Sequence, residues 1–167
     1  MSTELYWLDG PWPARLALAA RPRGGDWLED EITSWRGAGI DAVLSLLTPD
    51  EEHDLDLNAE GTKVKAKGMD FMSFPIPDRD VPDSEAAMAS ALEKLDRTLS
   101  LGKNVVIHCR QGVGRTGLVA ACLLVSKGLT PEAAVTTLST ARGVPIPETS
   151  EQRHWIDRYA AISAGAK

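Results

Sequence analysis

Cysteine is scarce in this sequence: Cys109 and Cys122 are the only two in 167 residues. Two cysteines give no disulfide framework, and they fit a reducing compartment, so the cytoplasm is the expected setting. Histidine is nearly as sparse, at three. No metal-ligand spacing emerges from either residue type, so neither a metal nor another cofactor is expected. Positive charge is also short, since 18 Lys and Arg face 24 Asp and Glu for a net charge of −6. That balance argues against affinity for nucleic acid or an anionic membrane. An anionic substrate must therefore be drawn by a local positive site. No apolar run reaches the length of a membrane span. The start, Met1-Ser2-Thr3-Glu4-Leu5, lacks the basic-then-apolar pattern of a secretory leader. No Gly-Lys-Ser/Thr tripeptide occurs, which removes the nucleotide P-loop.

What is present is ordinary globular material, 43% hydrophobic and 25% charged. The length and the lack of repeats or linkers predict one domain over 1–167. Residues 5–8 and 15–19 read as short strands around the turn Gly10–Pro13. Asp26 can cap a helix to about Arg36, stopped by Gly37 and Gly39. Ala42–Leu47 is a continuous apolar run and predicts a buried strand. Thr48-Pro49 opens a helix whose first turn holds Asp50, Glu51 and Glu52. The stretch 55–67 is helical in pattern, with Gly61 interrupting it. A strand over Phe71–Phe74 leads into a stiff loop, Pro75–Pro82. Asp83 or Ser84 then caps a long helix to about Leu101. Val105–His108 predicts a second buried strand, Thr116–Lys127 an apolar helix, and Thr130-Pro131 the start of another, to about Ala141. After the loop Gly143–Pro147, Thr149 or Ser150 caps a final helix to about Ile162. Strands alternating with helices predict an α/β fold. Its centre is a twisted, mostly parallel sheet of about four to five strands flanked by helices.

The densest chemistry lies between Val105 and Gly117. An apolar strand runs into Cys109, five residues intervene, and Arg115, Thr116 and an apolar helix follow. Gly112, Gly114 and Gly117 also match the dinucleotide pattern Gly-x-Gly-x-x-Gly. That pattern further needs a strand ending in an acid about 20 residues on, where this chain has Thr137 inside a helical run. Arg115 would also put a bulky cation between the second and third glycines. A glycine-containing loop that turns its N–H groups inward, above a thiol and beside an arginine, suits a tetrahedral dianion instead. Cys109 at a strand end, facing a helix N-terminus and Arg115, is placed for thiolate chemistry. An inert core cysteine would not need Arg110, Gln111 and Arg115 as neighbours. Cys122 sits in the run Leu118–Val125 and reads as core. Seven helical residues separate it from Arg115, a rise of roughly 10 Å at 1.5 Å each, so a bridge to Cys109 is hard to form.

His108-Cys109-x5-Arg115-Thr116-Gly117 resembles the signature of the cysteine-dependent protein tyrosine phosphatase superfamily. The chain's size suggests its small dual-specificity-like branch. Residues 21–31, the turn Leu46–Glu51 and Pro75-Ile76-Pro77-Asp78 are similar to bacterial relatives of the kinase-associated phosphatase. The resemblance implies a tyrosine-phosphatase-like fold and a metal-independent phosphomonoester hydrolase working through a phosphocysteine. Cys109 would be the nucleophile. The N–H groups of the loop Arg110, Gln111, Gly112, Val113 and Gly114 would hold phosphoryl oxygens, with Arg115 as a bidentate clamp. Thr116 would steady the thiolate, and His108 would order the loop by hydrogen bonds. The general acid falls on Asp78, with Asp80 as the second candidate and an acidic surface turn as the plain alternative. Glu51 matches an acid that braces the arginine, though a first-turn helix acid accounts for it as well. Gln152 matches a glutamine that contacts the loop, against a plain surface residue. Glu148 stands where larger relatives carry a further glutamine.

The implied substrate is a phosphorylated protein or peptide, carrying phosphotyrosine and also phosphoserine or phosphothreonine, with the chain acting as a monomer. Neutral Gln111 and Val113 weigh against the alternative of inositol phosphates or phosphoinositides. A phosphate-binding module without catalysis is the other alternative; such modules lack the cysteine, the arginine or the acid, and all three are here.

Overall fold

The computed structural model describes residues 3–165. Met1, Ser2, Ala166 and Lys167, the ends of the domain expected over 1–167, lie outside the described residues, as does the start of the segment inspected for a leader. The strands are β1 (Tyr6–Leu8), β2 (Leu16–Ala20), β3 (Ala42–Ser45), β4 (Asp70–Ser73) and β5 (Val105–Cys109). They form one sheet in the order β1-β2-β5-β3-β4. Only β1 runs antiparallel to its neighbour. Among the described residues seven helices cover its faces: α1 (Leu28–Gly37), α2 (Pro49–Asp54), α3 (Glu60–Ala66), α4 (Glu85–Ser100), α5 (Gly114–Ser126), α6 (Pro131–Arg142) and α7 (Ser150–Gly165). The α/β class and the mostly parallel sheet are as the sequence predicts.

β5 is central and buried at all five positions, which its β-branched run fits. The period of two divides its side chains between the two layers. Val105, Ile107 and Cys109 join the core built with α4 to α7, including Leu92, Leu95, Leu118, Leu138 and Ile156. Val106 joins the opposite core with Leu28, Ile32 and Trp35 of α1 and Val64 of α3. His108 faces that second layer, its ring 5.8 Å from the Trp35 ring. Each fully buried Leu or Ile of these cores contributes about 1.5–3 kcal/mol.

Several boundaries differ from expectation. Asp26 does not cap α1; a 3₁₀ turn over Gly25–Trp27 feeds the helix, and neither start has a side-chain cap. β3 stops at Ser45 although Leu46 and Leu47 are buried. The Leu46 carbonyl instead accepts the Ile76 N–H at 3.1 Å, which ties the sheet to the loop after β4. Gly61 does not interrupt a helix. It lies in the first turn of α3, where an added Cβ would stand 2.9 Å from the Phe71 ring. Ser84, not Asp83, caps α4, and the Thr149 hydroxyl accepts the Gln152 N–H at the start of α7. Among the described residues no helix is long and apolar enough to cross a membrane.

Candidate active site

Cys109 is the last residue of β5, and the chain turns at once into α5, which begins at Gly114 rather than at Thr116. The loop between passes very close to β2. Gly112 has φ +74°, and a Cβ there would stand 2.5 Å from the Ala19 carbonyl carbon and oxygen. Only glycine meets both demands. Three successive loop carbonyls are anchored by residues outside the loop. The Arg110 carbonyl accepts the Arg21 N–H at 3.3 Å. The Gln111 carbonyl accepts Arg142 Nη2 at 3.0 Å, and the Gly112 carbonyl accepts Arg142 Nε at 3.3 Å. Across a planar trans peptide the N–H points opposite to the C=O. The N–H groups of Gln111, Gly112 and Val113 therefore turn away from Arg21 and Arg142.

Arg115 is 1% exposed and fully engaged at its two terminal nitrogens. Nη1 donates to Glu51 Oε1 at 2.6 Å and to the Ile76 carbonyl at 2.9 Å. Nη2 donates to Glu51 Oε2 at 2.9 Å and to Asp78 Oδ1 at 3.0 Å. Burial works against its charged form, but the hydrogen bonds with Glu51 and the charges of Cys109, Glu51 and Asp78 outweigh it and push its pKa up. Burial likewise pushes the Glu51 carboxyl up, and the Arg115 and Thr48 hydrogen bonds together bring it below its ordinary range. Glu51 is thus both things the sequence allowed. It completes a capping box with Thr48 at the start of α2, and it braces the arginine.

The cavity, about 150 Å³, is lined by Asp78, Arg79, Cys109, Arg110, Gln111, Gly114, Arg115 and Glu148. Asp78 borders it and Asp80 does not. The Asp80 carboxylate accepts the N–H of Val81 at 2.8 Å and so serves its own turn. Gln152 is fully buried rather than a surface residue. Its Nε2 donates to the Asp80 carbonyl at 3.1 Å, and the missing Cβ of Gly114 leaves it room. Thr116 is buried with its hydroxyl unpartnered among the described residues. Cys122 is a second free, buried thiol, and burial pushes its pKa well up.

His108 departs from expectation. Its Nε2 pairs with Glu60 Oε2 at 2.6 Å, both side chains fully buried, while Nδ1 has no partner among the described residues. The histidine therefore anchors β5 to α3 instead of bonding the loop. Glu60, 48 residues away in sequence, has no local signal; a lone acid in the first turn of a short helix is unremarkable. Arg142 was equally hidden, as an ordinary cation in the last turn of α6. It also stacks over the Tyr6 ring at 4.1 Å, which holds its planar group in place.

A family model described as "PTP-SAK: Swiss Army Knife protein, DSP-PTPase phosphatase domain" matches residues 5–162. Cyclin-dependent kinase inhibitor 3 of Sus scrofa is 36% identical over 87 residues, 51% of this chain and 41% of that protein. Phosphatidylglycerophosphate phosphatase PTPMT1 of Arabidopsis thaliana is 34% identical over 130 residues, 77% of this chain and 37% of that protein. The chain spans less than half the length of these two curated relatives. The crystal structure of kinase associated phosphatase, with its catalytic site cysteine substituted by serine, superposes with a TM-score of 0.90. The identity is 24%, with 98% of this chain and 97% of that chain covered. At that identity the likeness shows the fold. With nearly its whole length matched, the chain belongs to the DSP-PTPase phosphatase domain family, in the small dual-specificity-like branch of the cysteine-dependent protein tyrosine phosphatases.

Proposed function

We propose that this chain is a metal-independent hydrolase of phosphate monoesters on proteins or peptides, with phosphotyrosine as a substrate and phosphoserine and phosphothreonine also accepted. The observation that carries this reading is the convergence of Cys109, Asp78 and a doubly braced Arg115 on one small cavity. The Cys109 thiolate attacks phosphorus, an S–P bond forms and the ester P–O bond breaks. Asp78 gives its proton to the leaving oxygen. The inward N–H groups and Arg115 hold the equatorial oxygens, where charge stabilisation matters most in a loose transition state. Arg115 Nη2 donates to Asp78 here; a phosphoryl oxygen competes for that N–H and turns Asp78 toward the leaving group. Water then attacks the phosphocysteine, Asp78 takes its proton, and the thiolate leaves with the Thr116 hydroxyl steadying it. The reaction needs no cofactor.

The cytoplasm as setting and the monomer as working form belong to this proposal, supported by two free cysteines and by a site drawn from one chain. A second reading, hydrolysis of inositol phosphates or phosphoinositides, is favoured by Arg79 and Arg110 at the cavity. Glu148 offsets Arg79, and Gln111 and Val113 are neutral, which favours the phosphoprotein reading. The test is turnover of p-nitrophenyl phosphate without metal by the intact protein and by Cys109→Ser, followed by phosphopeptides beside inositol phosphates. Turnover that depends on Cys109 and prefers phosphopeptides is expected. No turnover between mildly acidic and neutral pH would leave a phosphate-binding module instead, and preference for inositol phosphates would establish the second reading.

A further inference from the structure

The residue after Asp78 holds a backbone conformation that its type disfavours. The Asp80 N–H returns to the Pro77 carbonyl at 3.0 Å, closing a four-residue turn. Arg79, third in that turn, has φ +62°. A positive φ at this place favours Gly or Asn, because a Cβ crowds the next carbonyl oxygen. An arginine kept there points to a compensating contact. Its Nη1 lies 3.3 Å from Glu148 Oε2, and both residues border the cavity.

Glu148 belongs to the segment just before α7, and that segment already meets the turn once. Gln152 accepts the N–H groups of Glu148 and Thr149 through Oε1 and donates to the Asp80 carbonyl through Nε2. Gln152 is buried and joins the two backbones from inside. Arg79 and Glu148, 62% and 29% exposed, join them by charge from the solvent side.

We propose, resting on the hydrolase reading above, that Arg79 and Glu148 are positioning residues. Their ion pair latches the Pro77–Asp80 turn against the start of α7 and so keeps Asp78 at the cavity that Cys109 and Arg115 line. An ion pair this exposed is weak and salt-screened. It sets how much of the time the acid is aimed and leaves the nucleophile and the phosphate clamp alone.

Glu148→Ala tests the latch cleanly, because it keeps the Cβ near Gly114 and the backbone N–H bonded to Gln152 and removes only the carboxylate. Hydrogen exchange of the amides of residues 78–81 needs no turnover. In Glu148→Ala and in Arg79→Ala it is expected to quicken about two- to fivefold, and to slow again when Arg79→Glu and Glu148→Arg are combined. Turnover of phenyl phosphate, a poor leaving group, is expected to fall by the same factor and that of p-nitrophenyl phosphate by less. Unchanged exchange in both single variants overturns the latch whatever the activity. Equal loss on both esters overturns its action through Asp78. A protein without turnover whose exchange still quickens overturns the hydrolase reading and keeps the latch.

Discussion

Arg115 and Glu51 meet through two parallel hydrogen bonds, Nη1 to Oε1 at 2.6 Å and Nη2 to Oε2 at 2.9 Å, with the arginine fully buried. The same Oε1 accepts the Thr48 backbone N–H at 3.1 Å. One carboxylate thus fixes the start of α2 and the plane of the guanidinium, and a bidentate pair allows no rotation of that plane.

Glu51→Gln is expected to cost about 2–3 kcal/mol at neutral pH, because it leaves a buried arginine short of its counter-charge. The pH dependence has a definite sign. The folded Glu51 carboxyl lies below its ordinary value, so its contribution is complete above about pH 4.5 and fades as the pH falls through the lower folded value. Urea unfolding of the two proteins should show a gap that holds from pH 7 to about pH 4.5 and narrows below it. A gap of constant size would place the cost in packing and not in charge.

Asp78→Ala is expected to lower turnover of phenyl phosphate by about a hundredfold and of p-nitrophenyl phosphate by much less. Asp80→Ala, whose carboxylate bonds the N–H of Val81, should change both by less than about threefold. Leaving-group series on the two variants decide between them; steepening confined to Asp80→Ala would reverse the assignment.

Gly112→Ala is expected to unmake the phosphate loop. The substitution meets the left-handed penalty of about 1–2 kcal/mol and the backbone of Ala19 at 2.5 Å, and backbone cannot rotate away as a side chain can. Thermal unfolding should drop, and affinity for inorganic phosphate should fall with it. Full stability with full phosphate binding would contradict the close approach.

Arg142→Ala releases the Gln111 and Gly112 carbonyls, so the inward N–H groups lose their fixed direction. Inhibition by inorganic phosphate should weaken about tenfold. The leaving-group dependence should stay as it was, since Asp78 is untouched. Arg142→Lys, with one donor centre in place of a fork, is expected to recover only part.

Cys122, deep in α5, is expected to resist iodoacetamide in the folded protein, since burial both blocks it and pushes its pKa up. Mass spectrometry should find alkylation of native protein at Cys109 and none in Cys109→Ser. Native labelling at Cys122 would mean that α5 opens far more readily than its packing implies.

The nucleophile and its loop were legible because strand, cysteine, glycines, arginine and helix are consecutive, and their spacing alone sets the geometry. Asp78, Glu51 and Gln152 were reachable only through family resemblance, since each meets the loop from a separate element. Glu60 and Arg142 were not legible at all. Their contacts cross the fold, from α3 to His108 and from α6 to Gln111 and Gly112, and nothing in the local pattern of either residue marks it. Element types were readable from periodicity, whereas the end of β3 at Ser45 goes with a tertiary hydrogen bond, from the Ile76 N–H to the Leu46 carbonyl.

The place of β5 in the sheet implies an order of loosening. It is paired along its length with β2 and, over Val105–His108, with β3, and its amides can exchange only when the whole sheet comes apart. The turn that carries Asp78 is tied down by Gln152, Arg115 and the surface pair of Arg79 and Glu148. Heating or dilute denaturant should therefore silence the acid while the cysteine, its loop and Arg115 are still assembled. Over that range the protein would keep its grip on phosphate and lose its turnover, so partial unfolding would pass through a state that binds without hydrolysing.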